Sequence, residues 1–187
     1  KYHHSKAHQV NRLFLEKNTR KKMQDSHYVQ LTNRGIISLT GSDTLAFLQG
    51  IVTNDVNILS DKKALFSTLL TPQGKYLVDF FIFKLGSAYY IDCKSNRIQD
   101  LIRRLKLYKL RANVKIKDIS ENYRVYALSK KSIKKIPNLI LQPGNMVGKD
   151  GGVVFVDPRL LEMGARGVIP TRKGTKFFEN LGFTKGK

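Results

Sequence analysis

The clearest helical stripe in the chain is Ile98, Leu101, Ile102 and Leu105 at i, i+3, i+4 and i+7. Segments with strand character flank it on both sides, so helix and sheet must share one fold. The spacing predicts a helix with one core face, capped at Ser95 or Asn96. Upstream, Tyr28, Val29 and Leu31, then Ile36, Ile37 and Leu39, read as two short strands joined by a turn at Asn33, Arg34 and Gly35, with Gly35 supplying an unusual backbone angle. Ser42, Asp43 and Thr44 form a capping cluster before Leu45, Phe47 and Leu48, so a short helix is expected to end near Gly50. Strands over 64–70 and 75–84 are separated by Thr71, Pro72, Gln73 and Gly74, a pattern that suits a type I turn. A strand over 88–92 extends a largely antiparallel meander. After the helix come strands over 113–118 and 123–128 and a Lys-rich linker containing Pro137. Short strands over 139–141 and 153–156 follow, with a glycine-rich turn at 148–152 between them. Strand and helix alternate without a strict βαβ rhythm or a fixed repeat, so the expected class is α+β, mainly antiparallel sheets with packed helices.

The 187 residues allow one full domain, or one and part of a second. With 41% hydrophobic residues and no apolar run approaching the roughly 18 of a membrane span, a globular chain is expected, with no membrane among its partners. The single cysteine, Cys93, excludes an intrachain disulfide and any multi-cysteine metal site made by this chain alone, and a reducing compartment fits best. Cys93 follows Asp92, and a neighbouring carboxylate without an imidazole disfavours a thiolate, so it reads as a buried or idle thiol. All four histidines (His3, His4, His8, His27) lie before residue 28, which removes most hydrolase mechanisms from the body of the chain. His4 and His8 share a helical spacing but are too few for a metal site, so none is expected.

Lys and Arg number 34 against 14 Asp and Glu, a net charge of +20 that attracts polyanions without specifying which. Residues 1–22 hold seven bases and one acid, Glu16, and read as a basic N-terminal extension dispensable for the fold. A second concentration lies over 97–117, where eight bases meet one acid, Asp100. That stretch supports non-specific nucleic-acid binding, but no recognition motif accompanies it. Phosphate-loop and dinucleotide fingerprints are both lacking.

Four blocks carry a resemblance. Gly41, Asp43, Phe47, Leu48, Gln49, Gly50, Thr53, Asn54, Asp55 and Val56 stand at the spacing of a Gly-x-Asp signature that runs through Leu-Gln-Gly to Thr-Asn-Asp-Val. Gly74 and Lys75 followed by Val78 and Asp79 resemble a Gly-Lys strand opening. Lys106, Tyr108, Arg111, Val114 and Ile116 match a third block, and Asp157, Pro158 and Arg159 with Gly164 and Arg166 a fourth. In this order they resemble the folate-binding YgfZ/GcvT-like family and its iron-sulfur assembly relatives. The Lys-Gly-Cys motif and C-terminal barrel of YgfZ proteins are missing, so the chain looks like an N-terminal portion, incomplete at its C-terminus. The expected division is 1–22 extension, 23–129 first folate-binding-type subdomain and 130–187 partial second subdomain.

The resemblance implies tetrahydrofolate or a derivative as ligand, and support of iron-sulfur cluster assembly or repair rather than turnover. A folate-dependent aminomethyl or one-carbon transferase is the alternative, and a basic nucleic-acid-binding protein the second. Implied partners are folate and iron-sulfur assembly or client proteins; the compartment is bacterial cytoplasm, or the mitochondrial matrix. A pterin needs an apolar slot with a carboxylate or amide at its edge, for which Thr53, Asn54, Asp55 and Asp79 are candidates. Arg166 is the candidate for the anionic glutamate tail, and Arg34 stands where bacterial relatives often carry a stacking aromatic. No catalytic residue is assigned. The transferases show paired acids after the strand opening, whereas Val78 precedes the single Asp79 here.

Overall fold

The computed structural model describes residues 27–186. The extension over 1–22, with His3, His4 and His8, lies outside the described residues. The elements are β1 (His27–Gln30), β2 (Arg34–Thr40), α1 (Thr44–Gln49), β3 (Leu65–Leu70), β4 (Tyr76–Leu85), β5 (Ala88–Lys94), α2 (Ile98–Tyr108), β6 (Lys115–Asp118), β7 (Tyr123–Leu128), β8 (Met146–Lys149), β9 (Gly152–Val156), β10 (Ala165–Pro170), α3 (Lys176–Glu179) and β11 (Thr184–Lys185). The first sheet has the order β3-β4-β5-β2-β6 and is antiparallel throughout. The second has the order β11-β1-β7-β10-β9-β8, antiparallel except where β11 joins β1. This is the α+β class that the sequence implies.

Side-chain alternation stacks the two sheets between helices. Along β4, Val78, Phe80 and Ile82 pack with Ile37, Leu39 and Ile91 against Leu48 of α1 and the Leu101–Leu105 side of α2. Phe81 and Phe83 point the other way and meet Val125, Phe155 and Val168 of the second sheet. A strand buried on both faces reads as a continuous apolar run, which is what 78–83 would be without Asp79. Beyond the second sheet, Tyr126, Val154 and Ile169 pack against Ile133, Ile136 and Phe178, the last on α3.

Several expectations need correcting. The two N-terminal strands do not form a hairpin. β1 pairs with β7 and β2 with β5 and β6, so the chain crosses between sheets at Leu31, whose amide donates to the Val125 carbonyl at 2.8 Å. Gly35 lies within β2 as extended strand, and a Cβ there would stand 2.7 Å from Ser120 Oγ and 2.9 Å from Ile98 Cγ1. Close approach, not a turn angle, demands glycine. Asp43 occupies the cap position of α1, but its Oδ2 accepts the Asn113 amide at 2.7 Å. Ser95 and Asn96 enter a 3-10 turn ahead of α2 and cap nothing through their side chains. The Lys-rich linker is an ordered 3-10 turn, Lys130–Lys135, anchored by buried Ser132 and Ile133. No strand forms over 139–141, because the Ile140 amide donates to Asn145 Oδ1 at 2.8 Å instead of joining a ladder.

Candidate functional site

Strand register assembles the site. Phe66 is paired with Phe81, Thr68 with Asp79, and Phe81 with Asp92, which places all five on the face of the first sheet turned toward the second. Arg34 begins β2 on the same side, opposite Lys94. The second sheet contributes Arg166 from β10, and Asp157 and Arg159 from the chain just after β9.

A charged cluster forms where these groups meet. Asp92 is fully buried; its Oδ1 accepts Arg34 Nε at 2.7 Å and its Oδ2 accepts Arg166 Nη1 at 3.2 Å. Arg34 Nη2 also donates to the Asp92 carbonyl at 2.8 Å. Asp157 takes Arg159 in a two-point pair, Nε to Oδ1 at 2.9 Å and Nη2 to Oδ2 at 2.7 Å. The Phe81 ring lies beneath, 4.2 Å from Arg166 Cζ, 4.9 Å from Arg159 Cζ and 5.8 Å from Arg34 Cζ. Three guanidiniums face two carboxylates. Arg166 Nε is buried without a hydrogen-bond partner among the described residues, and Asp157 Oδ2 is 3.7 Å away. Burial raises the Asp92 carboxyl, against the pull of the Arg34 and Arg166 charges, and lowers Arg166.

The other expected residues sit at the β3 edge or on β4. Thr53 Oγ1 lies 2.8 Å from Thr68 Oγ1 and accepts the Thr68 amide at 3.1 Å. Asn54 Nδ2 donates to the Phe66 carbonyl at 2.9 Å while its Oδ1 accepts the Asp55 amide at 2.9 Å. Asp55 Oδ1 caps the following 3-10 turn through the Asn57 amide at 2.9 Å. Asp79, half-buried, accepts the Tyr76 hydroxyl at 2.7 Å. The structure therefore joins Arg34 and Arg166 through Asp92, and ties Thr53 and Asn54 to the strand that pairs with Asp79. Asp55 is turned to its own backbone. A groove of about 340 Å³ opens beside Thr53, walled by Ile51, Val52, Leu69, Pro72 and Tyr108.

Sequence reasoning left Asp92, Asp157, Arg159 and Phe81 off the site. Asp92 carried a readable signal: an acid inside the buried run Ile91, Asp92 and Cys93 must have buried cations for company. Cys93 faces the helix-side core, where burial pushes its thiol up to about 12. In the basic stretch, Asp100 accepts Arg103 Nη2 at 2.6 Å and Arg104 Nε at 3.0 Å.

Residues 5–129 match the model of the family described as the GCVT N-terminal domain. Over 181 residues the chain is 29% identical to an iron-sulfur cluster assembly factor IBA57 homolog, mitochondrial, of Dictyostelium discoideum, covering 82% of this chain and 43% of the relative. A protein of the same name from Mycosarcoma maydis is 28% identical over 153 residues, 75% of this chain and 35% of the relative. The chain thus spans less than half the length of these curated relatives. Among solved structures, it resembles the glycine cleavage system aminomethyltransferase T from Bartonella henselae, with a TM-score of 0.69 at 14% identity over 86% of this chain and 47% of the other. The heterotetrameric sarcosine oxidase from Corynebacterium sp. U-96 gives 0.56 at 12% identity, covering 84% of this chain and 82% of that one.

Proposed function

The chain belongs to the GCVT N-terminal domain family, and from that premise we propose that it is a folate-binding protein supporting iron-sulfur cluster assembly, acting in the mitochondrial matrix. The likeness across 181 residues to a relative named as a mitochondrial iron-sulfur cluster assembly factor carries the assembly part of this reading. The inter-sheet face supports the folate part. A buried guanidinium N–H that no carboxylate or carbonyl of the cluster satisfies, with Arg159 beside it, fits an anionic ligand. Partly buried Phe66, on the same face as the half-buried carboxylate of Asp79, fits a flat, amide-edged ring.

In this reading Asp79 and Thr68 hold the pterin edge, and Arg166 and Arg159 meet the carboxylates of the tail. Thr53 and Asn54 act one step back by fixing β3, and Arg34 by holding Asp92. Tetrahydrofolate, once bound, supplies a carrier for one-carbon units and a mild reductant. Val78 weighs against the transferase alternative, because it is buried on the helix-side face and no second acid stands beside Asp79 at that position.

Calorimetric titration of tetrahydrofolate into the protein tests the ligand, with Asp79→Asn as the comparison. Loss of one charge-assisted contact should weaken binding by about tenfold or more. No binding by the unaltered chain, or equal binding by Asp79→Asn, rejects the assignment. Recovery of iron-sulfur enzyme activity in cells lacking a relative, on supplying this chain, reads the assembly role separately.

A further inference from the structure

The C-terminal end of α2 holds two leucines in water. Leu107 is 68% exposed and Leu110 83% exposed, on the side turned away from the buried Ile98, Leu101, Ile102 and Leu105. Leu110 follows the helix cap Lys109 and has φ 45°, the left-handed position that helices usually fill with glycine because a Cβ is disfavoured there. A large apolar side chain is thus presented to solvent on a backbone conformation that penalises it. The loop behind it is fixed, with Lys109 Nζ donating to the Val114 carbonyl at 2.9 Å and the Ala112 amide to the Lys109 carbonyl at 2.7 Å.

Bases surround the pair. Arg103, Lys106, Arg111 and Lys115 are exposed and no acid occurs over 101–117, though Asp43 reaches the loop from outside, at the Asn113 amide. Asp100 offsets the charge only at the start of the helix, through Arg103 and Arg104. Phosphates would reward these bases, but a nucleic-acid backbone would gain nothing from the leucines. A folded partner would need complementary concave packing against them. A bilayer surface accepts a convex apolar tip and meets the surrounding cations with lipid phosphates.

Against the expectation of no membrane partner, which rests on the lack of an apolar span, we propose that the tip formed by Leu107 and Leu110 docks on the surface of a membrane containing anionic phospholipid. The leucines enter the boundary between headgroups and acyl chains, and Lys106, Arg111 and Lys115 face the phosphates. No helix of the described residues is long and apolar enough to cross a membrane, so the contact is superficial.

Co-sedimentation of the full chain with phosphatidylcholine vesicles, with or without about a third phosphatidylserine, tests this. Partition should be about tenfold or more higher on the anionic vesicles and fall with salt. Leu110→Gly suits the local backbone and should keep the fold while lowering partition about tenfold; Arg111→Gln should lower it about fivefold. Leu107→Ser gives an independent second reading of the apolar contribution. Equal partition on both vesicles overturns the proposal. So does binding unchanged in both leucine variants, which would reduce it to the pull of a +20 protein on any polyanion. Leucine-dependent self-association in vesicle-free solution also overturns it, since the occupant would then be a second copy.

Discussion

Asp92 holds together a cluster that would otherwise be repulsive. Fully buried, it separates the guanidiniums of Arg34 and Arg166, at 2.7 and 3.2 Å; without its charge Arg34 loses its carboxylate and Arg166 keeps only Asp157, at 3.7 Å. Removing one partner of a buried pair costs about 3–5 kcal/mol, so Asp92→Asn should show a loss of that order in a urea titration at neutral pH. A change within about 0.5 kcal/mol, the range of ordinary surface substitutions, would mean that solvent reaches the cluster. Two weak acids of another kind, buried Cys93 and partly buried Tyr123, set the alkaline limit. Burial pushes the Cys93 thiol and the Tyr123 hydroxyl up to about 12. The unfolded chain releases these protons near the ordinary values of about 8.5 and 10, so the fold keeps them longer. The associated stability is complete below about pH 8.5 and is lost as pH rises toward 12, with a slope approaching 1.4 kcal/mol per unit for each group. Urea midpoints from pH 8 to 11 should therefore fall less steeply in Cys93→Ala than in the unaltered protein.

At the scale of elements, the contact between β2 and α2 rests on one missing side chain. Gly35 is paired with Cys93, and Ile98 and Ser120 close over it, with Ser120 Oγ accepting the Ile36 amide at 3.0 Å. Gly35→Ala should cost about 1–3 kcal/mol by overpacking, and thermal denaturation reads it; an unchanged midpoint would show that Ile98 can retreat. The stripe that buries α2 was legible in the sequence because its period is local and belongs to one element. The role of Gly35 was not, since Ser120 reaches it from 85 positions along the chain. The same division runs through the candidate site. Arg34, Asp79 and Arg166 could be singled out from their motifs, but nothing local says that Asp92 joins the two arginines, because cross-strand and cross-sheet neighbours are fixed only by register. Asp43 shows the converse: its position promised a cap, and a distant amide, that of Asn113, took its carboxylate instead.

Across the whole molecule, the two sheets are interleaved in sequence. β1 and β7 both belong to the second sheet, and the strands between them, β2 to β6, build the first. The first sheet comes from one continuous stretch inserted into the second, which cannot be completed without it: β1 reaches β7 only after the intervening strands have been traversed. The apolar layer between them, with Phe81 5.7 Å and Phe83 5.9 Å from Phe155, is part of both cores, and the Asp92 to Arg166 contact crosses it. Sheets coupled by shared packing and by chain connectivity should lose structure together, since opening one exposes the inner face of the other. Residues 27–186 are therefore expected to unfold in one transition, with the far-ultraviolet signal of the backbone and the near-ultraviolet signal of the tyrosines sharing a midpoint. Phe155→Ala, which cuts into the common layer, should cost about 3–5 kcal/mol and lower both signals' midpoints equally. Two separated midpoints, or a Phe155→Ala loss confined to one signal, would show that the inter-sheet layer contributes less than each sheet's packing against its own helices.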